Sequence, residues 1–151
     1  MTMNGQTMIM HFVNIKGTTL NRYYCATGGG MRGGYHQEEV VPKGNGHAVI
    51  RITRADWHNE KPDVEEYIVD AQVLSELEQV VRKYHINFWH KRKFTTMFVC
   101  DGESTSYSFR FGTKYISFSS QIYPPRVRGK LKEFDEILTK YIEKAIENPA
   151  E

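Results

Sequence analysis

The residue types best suited to chemistry stand together at Asp56, Trp57, His58, Asn59 and Glu60. A carboxylate beside a histidine can orient an imidazole for general-base work. This defines one active-site hypothesis: a small hydrolase or transferase with Asp56 and His58 as its catalytic pair, under the glycine-rich segment 28–46. The sequence assigns no nucleophile to that pair, and Pro62 marks a turn nearby. The blander account, a polar hairpin loop with Trp57 folded back on the core, is the one the residues favour.

The glycines of 28–34 invite a phosphate-binding reading, since backbone N–H groups cradle phosphates where a glycine-rich loop opens a helix. A P-loop also needs Gly-Lys-Ser/Thr. Neither the motif nor a following helix is evident, because the chain continues with Glu38, Glu39, Val40, Val41 and Pro42. Segment 28–46 holds seven of the twelve glycines, which reads as a loop with a short extended piece at 38–41. His11, His36, His47, His58, His85 and His90 are scattered without HExxH spacing or a CxxC partner. No metal site and no cofactor are expected.

Trp89, His90, Lys91, Arg92 and Lys93 form a basic aromatic cluster with Arg82 and Lys83. Arg126, Arg128, Lys130 and Lys132 form a second. Together they would suit a weak nucleic-acid binder, with Trp89 stacking a base. The net charge of only +2 argues against that reading, as nucleic-acid modules are usually more basic. Solvated faces, with Trp89 anchoring the end of a helix, explain the same residues.

The last candidate comes from strand alternation. Residues 105–111 and 115–120 alternate with aromatic side chains, and Gly112 and Thr113 lie between them. A two-residue loop with glycine first suits a II′ turn. It pairs Phe109 with Ile116 and Tyr107 with Phe118. The opposite face then carries Ser106, Ser108, Arg110, Tyr115, Ser117 and Ser119. A slip by one residue would mix the two faces, so the register is strongly specified. The hydroxyl-rich face with Arg110 is a candidate recognition surface for a carboxylate-bearing partner. Solvent is the alternative occupant.

The elements that position these residues follow from periodicity. Strands are expected at 8–16, 20–27, 47–54 and 64–69, and a third C-terminal strand at 95–100. Asp70 caps a helix whose apolar stripe is Val73, Leu74, Leu77, Val80, Val81 and Tyr84, frayed near 85–87. Pro124 and Pro125 stop the last strand. A final helix over 127–147 carries a stripe of Val127, Leu131, Phe134, Leu138, Tyr141 and Ala145. Glu136 and Lys140 have the spacing of an i,i+4 pair.

The resulting fold class is a single α+β domain: an antiparallel sheet, in the order ββββ-α-βββ-α, with two helices packed on one face. At 151 residues, with 40% hydrophobic and 13% aromatic content, the chain supports a real core rather than disorder. No apolar run reaches the length of a membrane span. The start, MTMNGQTMIMHF, lacks a basic n-region followed by an apolar stretch. Cys25 and Cys100 fall in expected strands and read as reduced thiols. These features favour the cytoplasm, with an exported or envelope location as the alternative.

The runs VLSELEQVVRKYHINFW, DGESTSYSFRF and YISFSSQIYPP together resemble small uncharacterised bacterial α+β proteins with no established activity. The resemblance covers roughly residues 70–138. It rests on a helix ending in tyrosine, a following tryptophan, a glycine-turn hairpin and a proline stop. It implies a bacterial source and a similar sheet-and-helix build, and it carries over no catalytic residue. The functional expectation is therefore a non-enzymatic binding or interaction domain that uses its sheet surface. Its partner would be a protein, a peptide or a small ligand, and a homodimer is an open alternative.

Overall fold

The computed structural model describes residues 2–3, 6–7, 11–30, 33–57, 60–94 and 102–148. Two short strands, β1 (Thr2–Met3) and β2 (Gln6–Thr7), pair with each other apart from the main sheet. The main sheet is built from β3 (Leu20–Gly28), β4 (Gly33–Gly44), β5 (His47–Trp57) and β6 (Asp63–Asp70). After the first helix, α1 (Gln72–Lys83), it is completed by β7 (Ser104–Phe111) and β8 (Lys114–Ser120). A long helix, α2 (Pro125–Glu147), follows. The spatial order is β6-β5-β4-β3-β7-β8, with every neighbouring pair antiparallel. This is an α+β fold with both helices packed on one face of the sheet. No described helix is long and apolar enough to cross a membrane.

The β7–β8 hairpin forms in the expected register. Phe109 faces Ile116, Tyr107 faces Phe118, and Arg110, Ser108 and Ser106 face Tyr115, Ser117 and Ser119. Gly112 has φ 64°, as the first residue of a II′ loop requires.

The N-terminal strands differ from expectation in one systematic way. Segment 28–46 is not a loop: most of it is β4, a central strand between β3 and β5. Asn45 and Gly46 have φ 55° and 78°. That is the geometry of a tight I′ loop joining β4 to β5. Conversely, the described part of 8–16 is not a strand. Val13 and Ile15 pack against the core, but their backbone bonds go elsewhere. The Val13 N–H donates to the Asn87 carbonyl at 3.0 Å, and the Arg82 guanidinium donates to the Ile15 carbonyl at 3.3 Å. The expected strand at 95–100, with Cys100, lies outside the described residues.

The core lies between sheet and helices. Tyr23, Val40, Ile50, Phe109, Phe111 and Ile116 are fully buried on the sheet side. Val73, Leu77 and Val81 from α1 and Leu131, Phe134 and Leu138 from α2 close over them. Asp70 Oδ1 accepts the Gln72 N–H at 2.8 Å, so the expected capping residue does satisfy a first-turn donor. The chain leaves α1 through His85 at φ 54° and a single 3₁₀ turn, Ile86–Phe88. Lys140 does not pair along its own helix with Glu136. It reaches Glu76 of α1 at 2.5 Å, while Lys83 reaches Glu133 at 3.2 Å, so these cations tie the two helices together.

The opposite face of the sheet is covered by no described element. Across it runs a chain of charges, Arg22 to Glu39 at 2.6 Å, Glu39 to Arg51 at 3.3 Å, and Arg51 to Glu66 at 2.6 Å. These four residues belong to β3, β4, β5 and β6 in turn.

Candidate functional site: an open groove on the helix-bearing face

Residues directly opposite one another across an antiparallel sheet share a face. On the helix side, this gives three successive rows. The first, Ile116, Phe109, Tyr23, Val40, Ile50 and Tyr67, is almost wholly apolar. The second, Phe118, Tyr107, Cys25, Glu38, Ile52 and Glu65, is mixed. The third, Ser120, Thr105, Thr27, His36, Arg54 and Asp63, has no apolar member. Helices can cover the first row at a gain. Covering the third would strip water from charges with no partners to replace it. The sheet therefore emerges from beneath its helices as a polar floor.

Two concavities occupy that floor. One, about 910 Å³, is lined by Thr27, Gly30, His36, Arg54, Asp56 and Glu103, among others. The second, about 650 Å³, lies against the start of α2 and includes Thr105, Tyr107, Gln121, Tyr123, Arg128 and Asp135. They meet where Thr27 Oγ1 and Thr105 Oγ1 share a 2.9 Å hydrogen bond. The result is one groove, with sheet as its floor and the edge of α2 as a wall.

Gly34 shapes one end of this floor. A Cβ there would stand 2.5 Å from the Asp56 carbonyl oxygen and 2.8 Å from that of Ala55. Only glycine lets β4 approach β5 so closely at that point.

Asp56 and Glu103 line the first concavity and Asp135 the second, while Glu38 stands in the neighbouring row on β4. His36 Nε2 lies 3.3 Å from Glu38 Oε2. Asp135, on α2, borders the second concavity with Tyr107. Burial, then the Glu38 carboxylate, push the Asp135 carboxyl up to about 6, and His36 draws it back. Asp135 as a whole residue is exposed, so solvent screens part of that push. Burial and the Glu38 charge likewise push the Cys25 thiol up to about 12, so it is a thiol, not a thiolate nucleophile. Burial also raises Tyr107 and Tyr123.

A carboxyl that binds its proton more tightly in the fold contributes stability at acid pH and loses it as pH rises through its folded value of about 6. Asp135→Asn should therefore melt like the parent below about pH 4 and above it in temperature at about pH 7.5. Thermal melts across that range check this. Parallel curves for the two proteins would remove the coupling.

The sequence-predicted sites fare unequally. Asp56 is exposed at the end of β5 and lines the larger concavity with Gly30, Gly33 and Gly34. His58 lies outside the described residues. Trp57 does not fold back on the core: it is 52% exposed, because it falls on the opposite face of β5 from Ile50 and Ile52.

Ser106, Ser108, Arg110, Tyr115, Ser117 and Ser119 do share one face, with Arg110 and Tyr115 exposed. Segment 28–46 does not cover them, since it is part of the sheet itself. None of these six residues lines either concavity.

Trp89 is buried against Phe94 and Phe118, with centroids 5.3 and 5.6 Å away. It anchors the chain after α1 and has no free face for a nucleic-acid base. Lys130 and Lys83 sit over the Tyr84 ring at 5.4 and 4.8 Å. Among the described residues, no group of three His, Cys, Asp or Glu side chains is placed to hold a metal ion.

Fold and groove together define an α+β sheet domain with a half-covered face. No protein-family model matches the chain, and no curated protein matches it.

The groove residues Thr27, His36, Arg54 and Asp135 come from four separate elements and form no linear motif. One signal in the sequence could have led to them. Asn45-Gly46, set between Val40-Val41 and Val49-Ile50, is a hairpin mark. It would have set 33–44 against β5, although it takes the bulge between Pro42 and Gly44 to bring His36 opposite Arg54 rather than Ala55.

Proposed function

We propose that this protein is a non-enzymatic binding domain that uses its sheet surface, and that a small polar ligand or short peptide occupies the groove on the helix-bearing face. The single observation behind this reading is the change along one face from an apolar row under the helices to the wholly polar row of Thr105, Thr27, His36 and Arg54. A sheet kept apolar throughout would have been covered and would offer no site. Concavity adds to the argument, because ligands are held in clefts that bury most of their surface.

A fragment screen by amide NMR tests the proposal. Binding fragments should shift Thr27, His36, Arg54 and Thr105 and leave Ser108 and Ser117 unmoved. Shifts confined to the Ser106 to Ser119 face would transfer the site to the hydroxyl-rich surface and Arg110.

A second reading, a small hydrolase or transferase, is favoured by one observation: Asp56 opens into the larger concavity beside Gly30 and Gly33. It predicts that Asp56→Asn abolishes a turnover while leaving ligand shifts in the groove intact.

A further inference from the structure

The second concavity, about 650 Å³ against the first turns of α2, has most of its neutral polar groups already engaged by the fold. The Tyr123 hydroxyl donates to the Thr105 carbonyl at 2.6 Å. Thr105 Oγ1 shares its hydrogen bond with Thr27, and Gln121 Nε2 donates to the Gly102 carbonyl at 3.2 Å. The ionic groups of the lining are Arg128, Lys132 and Asp135. Their helix positions, i, i+4 and i+7, share one face. Among the described residues, the side chains of Arg128 and Lys132 make no ion pair. The lysines between the helices differ: Lys83 holds Glu133, and Lys140 holds Glu76. Like charges four residues apart repel on a helix, and here neither is paired.

Gly129 follows Arg128 and lines the same wall. A Cβ there would meet nothing within 4 Å, so packing does not demand glycine, and glycine is unfavourable inside a helix. Its missing side chain leaves the wall open beside both cations. Much of the remaining lining is apolar. Tyr107 and Tyr123, with rings 6.0 Å apart and edge to face, stand there with Ile122 and Pro125. An apolar wall with a few convergent charged groups is the make-up of a small-molecule pocket. An arginine presents a fork of donors that matches a carboxylate. The two cations outnumber the single carboxylate of Asp135, so the pocket's charge favours an anion.

We propose that the second concavity binds an organic acid, its carboxylate seated between Arg128 and Lys132 and its apolar body against Tyr107, Ile122 and Tyr123. This deepens the reading of the groove as a binding site and rests on it. Asp135, about one turn beyond Lys132 on α2, repels the carboxylate and so sets which end of the ligand faces Arg128.

The test is an amide NMR titration with three probes that share a ring: benzoate, benzyl alcohol and benzylammonium, at constant ionic strength and about pH 7.5, where carboxylates are ionised and amines protonated. Benzoate should give saturable shifts at Tyr107, Arg128, Gly129 and Lys132, while the other two probes do not. Arg128→Gln and Lys132→Gln, both at exposed positions, should each weaken benzoate about three- to tenfold, and the double variant should lose it. Asp135→Asn removes the opposing charge and should tighten benzoate about threefold. Cooperative thermal unfolding of each variant establishes that it is folded. Benzoate binding that survives in the folded double variant, or that weakens in Asp135→Asn, overturns the proposal. Equal binding of benzoate and benzyl alcohol, or tighter binding of benzylammonium, overturns it too but leaves the groove as a binding site. Saturable shifts confined to Thr27, His36 and Arg54 have the same meaning. No saturable groove shift, from these probes or from the fragment screen, counts against both.

Discussion

Phe134→Ala should lower the unfolding free energy by about 3–5 kcal/mol, read as a fall in the urea midpoint with an unchanged slope. Phe134 is fully buried and is the point where α2 meets the sheet. Its ring centroid lies 5.1 Å from Phe109, 5.5 Å from Tyr23 and 6.4 Å from Tyr107. Those three rings stand on β7 and β3, strands held by backbone ladders on both sides. They cannot collapse into the space that alanine leaves, so the cavity term adds to the lost transfer energy. Against a total of about 5–15 kcal/mol for a domain, this loss is a large fraction of the whole. Ile146→Ala, on the same helix but 62% exposed, should stay within about 0.5 kcal/mol of the parent. A loss at Phe134 no larger than that at Ile146 would mean that α2 is not docked as described.

Gly34→Ala should cost about 1–3 kcal/mol, the usual penalty of forcing an atom into a space already filled. The atoms in its way are backbone carbonyl oxygens of Asp56 and Ala55, which cannot rotate aside as a flexible side chain would. Relief requires β4 and β5 to part at the groove end of the sheet. Faster amide hydrogen exchange at 53–57 should therefore accompany the lower melting temperature, and groove binding should weaken in step. Gly129→Ala provides the contrast within the same residue type. A Cβ there meets nothing within 4 Å, in the second turn of α2. It should stabilise the protein by about 0.4–1 kcal/mol by restricting the unfolded chain. If both alanines behave alike, the close approach of β4 to β5 is wrong.

The parts of the fold that were legible are those where local pattern and tertiary role agree. Alternation in 105–111 and 115–120 coincides with a glycine loop of the right length, so the β7–β8 register could be written down pair by pair. The stripe of Leu131, Phe134, Leu138 and Tyr141 likewise matches the buried side of α2. β4 was not legible, because its residues oppose its role. Gly33, Gly34, Glu38, Glu39, Pro42 and Gly44 are poor strand formers. Pairing with β3 and β5 on both sides overrides that weakness. Residues 11–16 fail in the opposite sense: Val13 and Ile15 alternate like a strand, yet serve as anchors for a loop.

The groove was illegible for a related reason. Its charge sits on inward-facing positions, where a sequence reader expects apolar residues. The alternation of β4 therefore looked like no alternation at all. The hydroxyl-rich face stood out because it obeys the rule, whereas the candidate groove lies where the rule is broken.

The charges crossing the uncovered face, from Arg22 through Glu39 and Arg51 to Glu66, bear on how the sheet assembles. As exposed pairs they add little to stability. Their positions, however, are opposite one another only when β4, β5 and β6 are aligned as observed: Glu39 with Arg51, and Arg51 with Glu66. Sliding β5 by two residues against β4 keeps every side chain on its proper face but sets Glu39 against Val49 or Thr53. Apolar patterning does not penalise that error, and the charges do. They act as an alignment mark for the strands with the least distinctive alternation. Ionic strength should then govern the fidelity of refolding more than the stability of the product, with misaligned, association-prone sheets accumulating as salt hides the mark.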